Sequence, residues 1–149
     1  MKIYIGIDPG QTGAIAFIRA GAVPRVFDFD DGAGLLTLKK LLVDDPVKAV
    51  IEKVGSMPGQ GVSSTFKFGT NFGTWIGRLE ALEIPFDFVT PQKWKKVMFD
   101  SMPKGDVKEM SRSRALRLFP NMAEKLKRKK DHHRAEALLL AQYAMITDG

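Results

Sequence analysis

Residues 3–10 read IYIGIDPG: an apolar run that ends on one acid, Asp8, and breaks at Pro9-Gly10. A second β-branched run, VKAVIEKV (47–54), carries Glu52 between Ile51 and Lys53. A third acid, Glu136, lies in RAEALLLA, inside a segment that is apolar nearly all round. An ionised carboxylate buried without a partner is prohibitively unfavourable, so three such acids in core-forming elements limit what the chain can become. A single buried acid reads most simply as half of a salt bridge. Three on separate core elements, with no cationic partner in register, point instead to a shared divalent cation. Mg²⁺ takes hard oxygen ligands and keeps water and phosphate oxygens. A pair of such ions about 3.5–4 Å apart stabilises both the attacking and the leaving oxygen in a phosphoryl displacement.

The distribution of charge supports the same chemistry. The net charge is +6, but residues 1–91 hold nine Lys/Arg against ten Asp/Glu, whereas residues 92–134 hold fourteen against five. A basic excess confined to one segment is the footprint of a polyanion binder, most often nucleic acid. With 149 residues and 44% hydrophobic content, the chain is sized for a single domain over 1–149 with a real core. There is no cysteine, which excludes disulfides and thiolate metal sites and suits a cytoplasmic location. No stretch approaches the roughly 20 apolar residues of a membrane helix, and the N-terminus does not read as a signal peptide.

Along the chain, residues 2–7, 14–19 and 23–29 read as strands of an antiparallel meander, the first two joined by the turn-rich DPGQTG. Residues 35–42 have helical spacing, 47–54 form a buried strand, and GSMPGQGVSS is a loop. Phe68, Phe72, Trp75, Leu79 and Leu82 step by three or four and predict a helix. Residues 85–90 form a short strand. The next helix has Thr90 as N-cap and Pro91 at its first position. DVKEMSRSRALRLF is a helix with a basic face, KLKRKK a charge run, and DHHRAEALLLAQYAMI a closing helix capped by Asp131. This order predicts an α/β fold, a mixed sheet flanked by helices.

At these residues the chain resembles the RuvC-type Holliday junction resolvases of the ribonuclease H-like superfamily. GIDPG with Asp8 is similar to the family's first catalytic motif and VIEKV with Glu52 to its second. GVSSTFKFGTNFGTWIGRLEALEIPFDFVTPQKWKK is similar to the following helix, strand and basic helix, and KKDHHRAEALLLAQYA to the last, acid-bearing helix. The short length and truncated loops resemble bacteriophage versions, which implies the host cytoplasm. The resemblance implies a ribonuclease H-like fold, four metal-binding residues holding two Mg²⁺ ions (Mn²⁺ being the alternative), and hydrolysis of a DNA phosphodiester. It also implies a homodimer acting on branched DNA, because two symmetric nicks across a four-way junction need two sites related by a two-fold axis.

The fourth ligand departs from the family pattern. The family commonly places two acids three apart on the last helix, but His133 stands three before Glu136. His133 and His132 share a helical face with Glu136. Asp131 is five back, about 140° round an ideal helix, and reaches inward only from before the first turn. The ligand is therefore either His133 or Asp131, with His132 after them; the bland alternative is an Asp131 cap beside two solvent-facing histidines. Imidazole suits Mn²⁺ better than Mg²⁺ and can also move a proton near neutral pH. Lys93 and Lys96 after the turn, Lys104, Lys108 and Arg112 on the next helix, and Lys127, Arg128, Lys129 and Lys130 before the last helix are expected to contact DNA phosphates. Met57 and Phe66 are the nearest candidates for a side chain that props open a branch, though Phe66 reads better as helix packing. Trp75 reads as core or dimer interface and Trp94 as packing. Gly69, Gly73 and Gly77 suggest close helix approach.

Overall fold

The computed structural model describes residues 1–41, 45–53, 55 and 59–148. Met57 lies outside them. Five strands, β1 (Ile3–Asp8), β2 (Ala14–Ile18), β3 (Arg25–Asp28), β4 (Val47–Glu52) and β5 (Phe86–Val89), form one sheet in the order β3-β2-β1-β4-β5. The first three form the antiparallel meander, and β4 and β5 add in parallel. The helices are α1 (Gly32–Leu41), α2 (Val62–Ala81), α3 (Pro91–Met98), α4 (Val107–Leu118) and α5 (His132–Thr147). The α/β expectation holds. Helix α1 starts three residues earlier than the spacing predicts, and the charge run is partly built into short 3₁₀ segments at Pro120–Leu126 and Lys129–Asp131.

Strand alternation sorts the side chains onto two faces. Ile3, Ile5 and Ile7 of β1, with Val47, Ala49 and Ile51 of β4, pack with Leu38, Trp75 and Leu79 from α1 and α2. Val50 and Val89 pack on the other face with Trp94, Met98, Ala115 and the apolar side of α5. Helix α5 is the spine of that face. Its Ala135, Ala137, Leu138, Leu139, Leu140 and Ala141 are all fully buried. It sits so close to β1 that a Cβ at Gly6 would overlap the Ala137 carbonyl oxygen and the Ala141 amide nitrogen. Small residues on both elements are what permit this contact.

Local chemistry fixes the element ends. Thr90 Oγ accepts the Lys93 N–H at 3.4 Å and Pro91 opens α3, as the sequence predicts. Asp131 does occupy the N-cap position of α5, but it does not cap that helix. Its Oδ2 turns back to accept the Arg128 N–H at 2.8 Å. Gly69, Gly73 and Gly77 have open space where a Cβ would stand, so they mediate no close approach within this chain.

Because backbone atoms, and not movable side chains, bound the space at Gly6, enlarging it must displace α5 as a unit. Gly6→Val is expected to lower unfolding stability by about 3 kcal/mol or more, read from urea denaturation. Gly73→Ala, in open space on a helix, is expected to raise it by up to about 1 kcal/mol.

Candidate active site

Parity and register bring the acids together. Asp8 follows Ile7, which is paired with Ile51, so Asp8 and Glu52 end neighbouring parallel strands on the same face. The same level of the sheet continues outward through Ala14 to Asp28 on one side and to Val89 on the other. Glu136, in the second turn of α5, lies over this row, held there by the α5–β1 contact. Asp8 and Glu52 are only 7% and 8% exposed, although both are carboxylates.

Their electrostatics follow. Burial, then the charges of Glu136 and Glu52, drives the Asp8 carboxyl well above the usual aspartate range, against one opposing hydrogen bond from the Gly10 N–H at 3.0 Å. Burial also raises Glu52, offset in part by the Trp94 indole. Burial pushes Glu136 upward too, but the proximity of His132 and Asp8 brings it below its ordinary value. Lys95 is the cation whose field favours ionised Glu52 and Glu136. The Pro9-Gly10 break turns the chain so that its own amide meets Asp8. That turn is held from the side by Asn71, whose Nδ2 donates to the Gly10 and Gln11 carbonyls at 3.3 and 3.4 Å. Gln11 in turn donates to the Ser64 carbonyl at 3.1 Å, tying the turn to the start of α2.

Among the described residues, no group of three or more His, Asp or Glu side chains is arranged to hold an ion by itself. The donor set nevertheless fits a hard cation. Three carboxylates cluster there, with Asp8 raised by burial and by the other two, and Lys95 is the lysine whose charge reaches them. Mg²⁺ needs only one or two protein carboxylates beside water and phosphate. Asp8, Glu52 and Glu136 would hold it.

The remaining candidates fall elsewhere. Asp131 is not with this cluster. It is 1% exposed and bonded to the Arg128 backbone and guanidinium, with Arg134 at 3.7 Å. His133 points to β3, its Nε2 at 3.2 Å from Asp28 Oδ1. The histidine beside Glu136 is His132, with Nδ1 at 3.5 Å from Oε2. His132 precedes Glu136 by four residues and lies on its side of α5, while His133, one residue further round the helix, faces Asp28. Arg112 is a brace: its side chain, 16% exposed, donates to the Leu126 and Lys127 carbonyls at 3.0 and 2.8 Å and pairs with Glu109. Lys93, Lys96, Lys104, Lys108, Lys127, Lys129 and Lys130 are exposed, while Arg128 is half exposed and tied to Asp131. Phe66 does not pack in the helix interface. It is 77% exposed on the first turns of α2.

Sequence reasoning missed two residues. Asp28 receives Arg134 through two bonds of 2.7 and 2.8 Å as well as His133. The alternation in VPRVFDF, which sets Asp28 on the face of Val26, was the available signal. Trp94 donates its indole N–H to Glu52 Oε2 at 2.6 Å, a contact no spacing rule reveals.

Comparison with known structures gives the same architecture. RuvC from Thermus thermophilus in complex with a Holliday junction substrate superposes with a TM-score of 0.62 over 99% of this chain and 97% of that one, at 14% identity. The fold is that of RuvC. A second Thermus thermophilus RuvC structure gives 0.54 over 96% and 93%, at 15% identity. The chloroplastic Holliday junction resolvase MOC1 of Chlamydomonas reinhardtii is 32% identical over 89 residues, which are 60% of this chain and 10% of that protein. No protein-family profile matches the chain.

Two opposite pH dependences follow. The raised Asp8 costs stability once ionised, so the penalty grows as pH rises from the ordinary aspartate value through its higher folded value. Without added cation, Asp8→Asn is expected to be more stable than the parent at neutral pH, with the difference vanishing near pH 4 in denaturant titrations. Asp28 is held at about 2, first by the Arg134 hydrogen bonds. Its contribution is present above the ordinary aspartate value and lost as pH falls toward about 2, so Asp28→Asn is expected to remove that part of the acid sensitivity.

Proposed function

We propose that this chain is a divalent-cation-dependent, structure-selective DNA endonuclease, a single domain over residues 1–149 that acts as a homodimer to resolve four-way junctions. The observation that carries the reading is the convergence of Asp8, Glu52 and Glu136 at one end of a RuvC-like sheet, where burial and then the charges of Glu136 and Glu52 raise the Asp8 carboxyl. The partial match to a chloroplastic junction resolvase supports the substrate.

Mg²⁺, as two ions or with Mn²⁺ in its place, would supply charge to activate water and to stabilise the oxygens of the displaced phosphodiester. The chain's own residues do the rest. Asp8, Glu52 and Glu136 supply hard oxygen donors. His132 stands beside Glu136 and would orient that carboxylate. Exposed lysines on α3, led by Lys93 and Lys96, hold the DNA backbone beside the carboxylates without reading sequence. Phe66, exposed where α2 leaves the glycine-rich loop, supplies an apolar wedge for an opened branch. Asp131 and Arg112 serve the scaffold, and His133 fastens α5 to β3. The broader alternative, a nuclease that also cuts forks and flaps, shares this chemistry and differs only in selectivity; a non-catalytic DNA-binding protein would have no use for the acids.

The test is nicking of end-labelled four-way junctions, forks and flaps with Mg²⁺. Paired symmetric nicks confined to junctions, lost by at least about 10²-fold in Asp8→Asn, are the expected outcome. Equal cutting of forks and flaps selects the broader enzyme, and tight binding without cutting overturns catalysis. Lys93→Ala and Lys96→Ala are each expected to weaken junction binding and reduce the slope of log K against log salt by about one.

A further inference from the structure

We infer that Trp94 is a positioning residue for Glu52: its indole N–H fixes Oε2 of that carboxylate and leaves Oε1 as the atom that meets the cation. The inference rests on the cation-dependent reading above. The bond measures 2.6 Å between a fully buried ring and a carboxylate that is 8% exposed. A buried charge-assisted hydrogen bond of this length is among the stronger polar contacts a protein makes. Trp75 provides the internal contrast: its Nε1 is buried with no partner among the described residues. Indole burial in this fold therefore does not by itself bring the N–H to an acceptor.

The frame around the pair is rigid. The β4–β5 ladder continues past Glu52, with the Lys53 N–H donating to the Val89 carbonyl at 2.8 Å. Thr90 and Pro91 then start α3 at once, so donor and acceptor are joined by a short, hydrogen-bonded elbow. Phe99 packs edge-on against the Trp94 ring at 5.7 Å, and Lys95 lies over the ring at 5.4 Å. The eight-residue helix that presents Lys93 and Lys96 outward thus presents the Glu52 donor inward. A grip on DNA backbone and the orientation of one ligand are built into a single element. Groups that orient a metal ligand in this way typically change metal affinity or activity by about 10–100-fold when removed.

Trp94→Phe removes the N–H while keeping a ring against Phe99. A benzothienyl-alanine at position 94 replaces the N–H with sulfur in the same ring shape, and decides the matter should Trp94→Phe fail to fold. Calorimetric titration with Mn²⁺ is expected to show affinity lowered about 10–100-fold in both. Junction binding in EDTA is expected to stay within about twofold, and kcat to fall with KM unchanged. In a Glu52→Gln background the same ring changes are expected to have no further effect on Mn²⁺ affinity, which a packing role would not predict. Unchanged Mn²⁺ affinity in both variants overturns the inference. A parent protein that binds Mn²⁺ but cuts no branched DNA overturns the endonuclease reading, while the calorimetry still decides the role of Trp94.

Discussion

The contact between α5 and β1 at Gly6 governs the arrangement. A helix bearing Glu136 can stand over Asp8 and Glu52 only if its backbone rides close to the central strand, and that requires the absence of a side chain at Gly6. The alanines of α5 complete the fit. Close packing on the apolar stretch from Ala137 to Ala141 supplies the free energy that holds Glu136 against its carboxylate neighbours. Apolar burial thus stabilises what electrostatics opposes. The site is a place where the fold gives up some stability for charge density, as functional sites commonly do.

The cations close to this end of the sheet are mostly committed elsewhere. Arg134 is bonded to Asp28 and Arg128 to Asp131, and both pairs secure the start of α5. Lys95 is the exception, lying close enough to lower Glu52 and Glu136. The surplus of basic residues in 92–134 therefore divides in two. Arg112, Arg114, Arg128 and Arg134 brace the scaffold through fixed hydrogen bonds, and most of the lysines face solvent where a polyanion would lie.

Much of this was legible in the sequence. The order of strands and helices follows from apolar periodicity, and Asp8, Glu52 and Glu136 stand out because they interrupt it. What was illegible depends on atoms that periodicity does not describe. Arg112 is held by two backbone carbonyls, and any residue at Leu126 or Lys127 would present the same oxygen. Trp94 reads as packing because most of its surface is apolar, and its single N–H leaves no mark in a pattern. That His132 rather than His133 meets Glu136 depends on which side of α5 faces β3, and both histidines lie within one turn of that acid in the sequence.

Helix α5 is fastened at both ends. Arg134 and His133 bind it to Asp28 at its start, and Asp148, just past its last turn, meets Tyr4, Lys2 and Lys48. It therefore behaves as a beam pinned at two supports, with little freedom to slide or roll. Adjustment among Asp8, Glu52 and Glu136 therefore falls to rotation of the carboxylates rather than to travel of the helix that carries one of them.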